Sequence, residues 1–130
     1  MKTIHKAGKR KTAIARATMK AGKGNVRVNY QSLETYSPEI AKMKIMEPLL
    51  IAEDVSKKFD ISVNVQGGGW QSQAEAIRLA IARCLVEASK PLKNRCLEYD
   101  RGLLVADTRR KEECKPNDSK ARAKRQKSYR

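Results

Sequence analysis

The chain has 130 residues, 29 Lys/Arg against 14 Asp/Glu, and a formal net charge of +15. That length suits one modest hydrophobic core and excludes a large multidomain enzyme. So much uncompensated charge points to a polyanionic partner.

The charge is unevenly placed. Met1 to Leu33 carries nine basic residues and no acid, Glu34 to Ala106 carries ten of each, and Asp107 to Arg130 carries ten basic and four acidic residues. A neutral middle that can pack therefore lies between two cationic ends. Cys84, Cys96 and Cys114 form no C-x-x-C pair, and the single histidine, His5, is remote from them in sequence. Neither a zinc site nor a disulfide framework is suggested, and a reducing, cytoplasmic setting is expected. No apolar run approaches membrane-spanning length, so no membrane association is expected.

In chain order, His5 to Lys11 (HKAGKRK) is a cationic lead-in that reads as a phosphate-contacting arm. Thr12 to Met19 alternates, with Ala13, Ala15, Ala17 and Met19 on one face and Thr12, Ile14, Arg16 and Thr18 on the other. This is the pattern of a strand whose small-residue face admits a close neighbour. The glycine-containing turn Lys20 to Gly24 and the run Asn25 to Asn29 predict that this strand folds back as a β-hairpin. Ser37-Pro38-Glu39 predicts a helix start with Ser37 as cap. Pro48 predicts a break before a second helix, Leu49 to Phe59.

Asp60 to Gln66 (DISVNVQ) has the clearest alternation in the chain. Gly67, Gly68 and Gly69 follow it, and a helix is predicted from Gln71 to Ser89 with Ile77, Ala80, Ile81, Cys84, Leu85 and Ala88 on one stripe. The glycine loop lacks the G-K-[ST] of a P-loop, and Ser72 interrupts a dinucleotide pattern. Its glycines are expected instead to let backbone approach a neighbouring strand or RNA closely. Leu92 to Tyr99 is predicted as a short helix and Leu103 to Val105 as a brief buried strand. From Arg109 to Arg130 there is no Val, Leu, Ile, Met, Phe or Trp, so this stretch cannot offset its ordering entropy by burial. The expected division is a globular domain over residues 1–106 with a basic N-terminal arm, then an extended tail over residues 107–130.

Three segments together resemble the ninth universal small-subunit ribosomal protein family. They are Gly8 to Ala17 (GKRKTAIARA), Gly67 to Ala76 (GGGWQSQAEA) with Ala80, Ala82 and Arg83, and the ending Ala121-Arg122 to Arg130. The close Gln126-Lys127-Ser128-Tyr129-Arg130 is similar to the archaeal and eukaryotic branch, and the short start Met1-Lys2 leans archaeal. Cys84 and Glu113-Cys114 depart from the family's habit without touching the proposed contacts.

The resemblance implies an α+β, ribosomal-protein domain-2-like two-layer fold: a four-stranded mixed sheet backed by helices, with a left-handed βαβ crossover and an extended C-terminal tail. It also implies a structural, non-enzymatic role in the head of the small ribosomal subunit. The implied partners are the 3′ major domain of its rRNA, neighbouring head proteins and peptidyl-site tRNA, with no cofactor, metal or small-molecule substrate.

Expected rRNA contacts are Lys6, Lys9, Arg10, Lys11 and Arg16 near the N-terminus. In the tail they are Arg109, Arg110, Lys111, Lys115, Lys120, Arg122, Lys124 and Arg125. The resemblance places Arg130 at the tRNA anticodon stem-loop with Lys127 and Ser128 nearby, while Tyr129 has the ring to stack on a base. Two other functions compete. An enzyme is disfavoured because His5 is the only histidine and no clustered carboxylates mark an acid/base pair. An extra-ribosomal nucleic-acid chaperone or compacting protein has the right charge, and differs in being absent from salt-washed subunits.

Overall fold

The computed structural model describes residues 3–129. A mixed sheet in the order β1-β2-β5-β3-β4 is built from β1 (Ile4–Arg10), β2 (Ala13–Ala21), β3 (Val26–Val28), β4 (Gln31–Ser32) and β5 (Phe59–Gln66). The helices are α1 (Glu39–Ile51), the short α2 (Glu53–Ser56), α3 (Trp70–Ala88) and α4 (Leu92–Tyr99). The fold is α+β, with four strands as expected and a fifth, two-residue strand at the edge.

The alternation in β2 and β5 decides which face is buried. Ala13, Ala15, Ala17 and Met19 meet Ile61, Val63 and Val65 in one core, and α3 lies on them through Ala76, Ile77, Ala80, Ile81 and Cys84. Small residues set how close that layer comes. A Cβ on Gly8 of β1 would lie 2.2 Å from the Ala76 carbonyl oxygen and 2.8 Å from the Ala80 nitrogen, so β1 crosses α3 almost backbone to backbone.

Several elements differ from expectation, each for a physical reason. The basic lead-in is not a free arm. It is the edge strand β1, paired antiparallel with β2 from Ile4↔Met19 to Arg10↔Ala13. The predicted hairpin between β2 and the Asn25 to Asn29 run does not form, because β5 inserts between them. β5 pairs antiparallel with β2 along its whole length, and β3 runs parallel to β5 from Val26↔Ile61 to Val28↔Val63. The connection from β3 to β5 through α1 is the βαβ unit of the fold.

Pro48 does not end α1. Ala41, Ile45, Pro48 and Ala52 form one continuous buried stripe, and burying it outweighs the hydrogen bond that proline removes, a cost of about 3 kcal/mol in an isolated helix. The helix starts at Glu39 with Pro38, not Ser37, at the capping position. Leu103 to Val105 is not a strand. The Asp100 carboxylate accepts from Gly102 N–H at 2.8 Å and curls the chain into a 3-10 turn, which drops Leu103 onto Ala82 and Cys96 as a small satellite core.

Candidate nucleic-acid interface

Alternation along β1 sorts its cations into two groups. Lys6 and Arg10 share a face with the buried Gly8 and point toward α3, whereas His5, Ala7 and Lys9 are exposed on the other side. Arg10 is the more deeply engaged of the inward pair. Its Nε donates to Glu75 at 2.6 Å and its Nη1 lies 2.6 Å from Asp107, with only 16% of the side chain exposed. Lys6 meets Glu87 at 3.5 Å in a pair open to solvent.

Arg10 therefore ties the root of the tail to the sheet. Glu75 also receives Lys44 at 3.3 Å. Burial opposes charging of the Glu75 carboxyl, but the hydrogen bonds from Arg10 and Lys44 win and hold it below the usual range. Asp107 is held far lower, first by the side chain and backbone N–H of Arg109. Beside this network Arg78 bridges Glu47 and Asp100, at 2.5 and 3.0 Å. Arg10, Glu75, Arg78 and Asp107 line a cleft of about 560 Å³ together with Lys9, Arg101 and Arg109.

Beyond Thr108 the described chain forms no helix or strand, and nearly every residue is exposed. Arg109 and Arg110 fold back on Asp107, through its carboxylate and its carbonyl respectively. Arg122 pairs with Glu112 at 2.5 Å and Arg125 donates to the Asn117 carbonyl at 3.1 Å. Among the described residues, Lys111, Lys115, Lys120, Lys124 and Lys127 make no ion pair or side-chain hydrogen bond. Ser128 is exposed and Tyr129 is 90% exposed. Arg130, expected at the tRNA, lies outside the described residues.

At the β5–α3 loop, Gly67 (φ +78°) and Gly68 (φ +65°) hold backbone that other residues rarely adopt, and both abut the β1–β2 turn. A Cβ on Gly67 would lie 2.6 Å from the Thr12 carbonyl oxygen, whereas one on Gly69 would meet nothing. The loop's close neighbour within the chain is thus protein backbone. Lys11 sits at that same turn with φ +53° and is exposed, and Arg16 is exposed on β2.

Two further groups escaped the sequence reading. Arg83 donates from Nη1 to the Ala7 carbonyl at 2.7 Å and from Nε to the Leu104 carbonyl at 3.2 Å, stapling the edge strand to the chain that leads into the tail. Lys20 and Arg27 stand exposed on the sheet face that Arg16 occupies. Strand parity could have found them, since Lys20 is four residues from Arg16 and Arg27 lies between Val26 and Val28.

The sequence pattern of the ribosomal protein S9/S16 family matches residues 8–130. The chain belongs to that family. Its full length aligns with the full length of the small ribosomal subunit protein uS9 of Methanococcus maripaludis strain C7, at 48% identity over 134 residues. It aligns equally completely with the protein of the same name from Methanothrix thermoacetophila, at 49% identity over 132 residues. Both organisms' proteins are archaeal, and the chain is of the archaeal type. Within this S9/S16 member, the Gly8 to Ala17 and Gly67 to Ala76 segments meet in space, because the β1–β2 turn and the β5–α3 loop are in contact.

Proposed function

We propose that this S9/S16 family member, a structural and non-enzymatic constituent of the small ribosomal subunit in the cytoplasm, binds small-subunit rRNA and supports peptidyl-site tRNA through its tail. Residues 1–106 are the globular part, placed in the subunit head against the 3′ major domain of the rRNA and neighbouring head proteins. Residues 107–130 are the tail. The single observation that carries the rRNA reading is the family membership of a chain that exposes cations along its tail and on its outer sheet surface.

In the tail, Lys111, Lys115, Lys120 and Lys124 replace condensed counterions on the rRNA backbone, and Arg109, Arg110, Arg122 and Arg125 exchange their local oxygen partners for phosphates. Near the N-terminus, Lys9, Lys11 and Arg16 serve as direct contacts, with Lys6 available once its loose pair with Glu87 opens. Arg10 acts differently from the expectation of a phosphate contact. Held between Glu75 and Asp107, it positions the start of the tail. Lys127, Ser128, Tyr129 and Arg130 are assigned to tRNA. Contacts to phosphate and sugar carry no base information, so such a tail serves every tRNA alike.

The test is to replace the cellular copy by one lacking Lys127 to Arg130. Salt-washed small subunits are expected to keep the truncated protein in stoichiometric amount while their affinity for peptidyl-site tRNA falls. Unchanged tRNA affinity and unchanged reading-frame maintenance would refute the tail's role.

A further inference from the structure

Helix α1 buries one stripe, Ala41, Ile45, Pro48 and Ala52, and turns a second apolar stripe away from the core. Ile40, Met43 and Leu50 are 61%, 59% and 65% exposed. Among the described residues no other large aliphatic or thioether side chain is so open, the next being Val105 at 42%. Their spacing, i, i+3 and i+10, stacks them on one side of the helix, roughly opposite the buried stripe. Scattered exposed apolar residues need no explanation, whereas three gathered on one helix face mark a contact surface.

The patch continues into a groove of about 440 Å³ between α1 and β3, where Val26, Leu33, Met46 and Leu49 join Leu50. Met43 and Met46 are unbranched and adapt their shape to what lies against them.

The charge around this patch is opposite in sign to that of the chain. From Glu39 to Ser56, α1 and α2 carry the acids Glu39, Glu47, Glu53 and Asp54 against Lys42 and Lys44, in a chain of net charge +15. Both lysines are already engaged. Lys42 Nζ donates to the Glu34 carbonyl at 2.9 Å, and Lys44 reaches Glu75 on α3 at 3.3 Å. Glu47 and Glu53 have partners of their own, Arg78 and Lys57. Glu39 and Asp54 are exposed toward the two ends of the patch and make no ion pair among the described residues. An apolar surface edged by carboxylates repels a phosphate backbone. For a cationic protein, repelled by the chain's overall charge, it is a complementary place to dock.

We propose that the outer face of α1 is a protein-docking surface. Ile40, Met43 and Leu50, with the groove beside Leu50, receive the aliphatic side of a Lys/Arg-rich segment from a neighbouring small-subunit protein, and the segment's cations meet Glu39 and Asp54. The proposal deepens the reading above by naming a surface and the chemistry of its partner, and it rests on the chain's place in the small subunit, independently of the tail.

The test uses small subunits that carry the full-length chain with a photo-crosslinking side chain placed at Met43, washed in salt and then irradiated. Mass spectrometry is expected to find one major product, joined to a Lys/Arg-rich segment of another small-subunit protein. Cross-links to rRNA alone, to a second copy of the chain or to nothing would each overturn the proposal. In a second arm, M43K/L50K puts cations where the partner brings its own, and subunits built with it should lose that protein about tenfold more readily in the salt wash. M43L/L50M, which keeps the apolar surface, should retain it. Both positions are exposed, so thermal unfolding should match wild type, and the rRNA affinity of the isolated chain should not fall in either variant. Undiminished retention of the partner by M43K/L50K subunits would also sink the docking surface. A wild-type chain missing from salt-washed subunits would refute the small-subunit reading itself.

Discussion

The β1–β2 pair and the C-terminal tail are both strongly cationic, yet the first is a fully paired antiparallel ladder and the second, among the described residues, has no helix or strand beyond Thr108. Charge does not separate them. What does is the row Ala13, Ala15, Ala17 and Met19, buried beneath α3, which offsets the ordering entropy of the strands that carry it. The tail has no such row. Within the ordered region the same side chain meets two fates six residues apart: Arg10 is clamped between two carboxylates, and Arg16 stands in the open.

That contrast can be broken most forcefully at Gly8. Gly8→Val would drive a side chain into the Ala76 carbonyl, so it should destabilise the domain by about 3 kcal/mol or more in thermal or denaturant unfolding. The tail, which makes no comparable packing, should tolerate valine at Ala123 without a measurable shift.

The next largest effect is expected at the clamp. Glu75→Gln removes the carboxylate that joins Arg10 to Lys44 and should cost about 1 to 2 kcal/mol. Because the folded-state carboxyl of Glu75 is held below its ordinary value, its contribution is complete above the ordinary range and is lost as pH falls through the folded value. The difference in stability between wild type and Glu75→Gln should therefore shrink as the pH is lowered through and below the ordinary carboxylate range, as followed by circular dichroism.

Tyr30→Gly should act in the opposite direction. It gives the β3–β4 loop the Asn-Gly pair that its two positive φ angles favour and should stabilise the fold by about 1 kcal/mol in thermal unfolding. The smallest effect on stability belongs to Arg122→Ala, whose only charged partner in the described chain is the exposed Glu112. The melting temperature should not move, and the salt dependence of rRNA binding should weaken by about one phosphate contact.

Much of the fold was legible in local pattern. The strands around Ala13 to Met19 and Asp60 to Gln66, the long helix after the glycines and the helix Leu92 to Tyr99 follow from periodicity that each segment carries alone. Pairing was not legible. Lys20 to Gly24 has the composition of a hairpin turn, but β5 inserts between its two strands because the best-alternating segment makes the best ladder with β2. Pro48 carries a local breaker signal that a continuous buried stripe overrides. In the interface, composition marked every cation equally, since nothing in a lysine or arginine states which way it will point.

By itself the sequence determined the two cationic ends, the neutral middle, the family and the lack of large apolar side chains in the tail. Each of these depends on composition or on short-range spacing, which the chain carries before it folds. Tertiary structure alone decided that the N-terminal arm is an edge strand and, among the described residues, that Arg10 is clamped while Arg16 makes no ion pair and that one face of the sheet is left without a helix over it. Those outcomes depend on which strands become neighbours and which acids α3 brings beneath them. Such distances exist only once residues far apart in sequence are brought together by burial of the core.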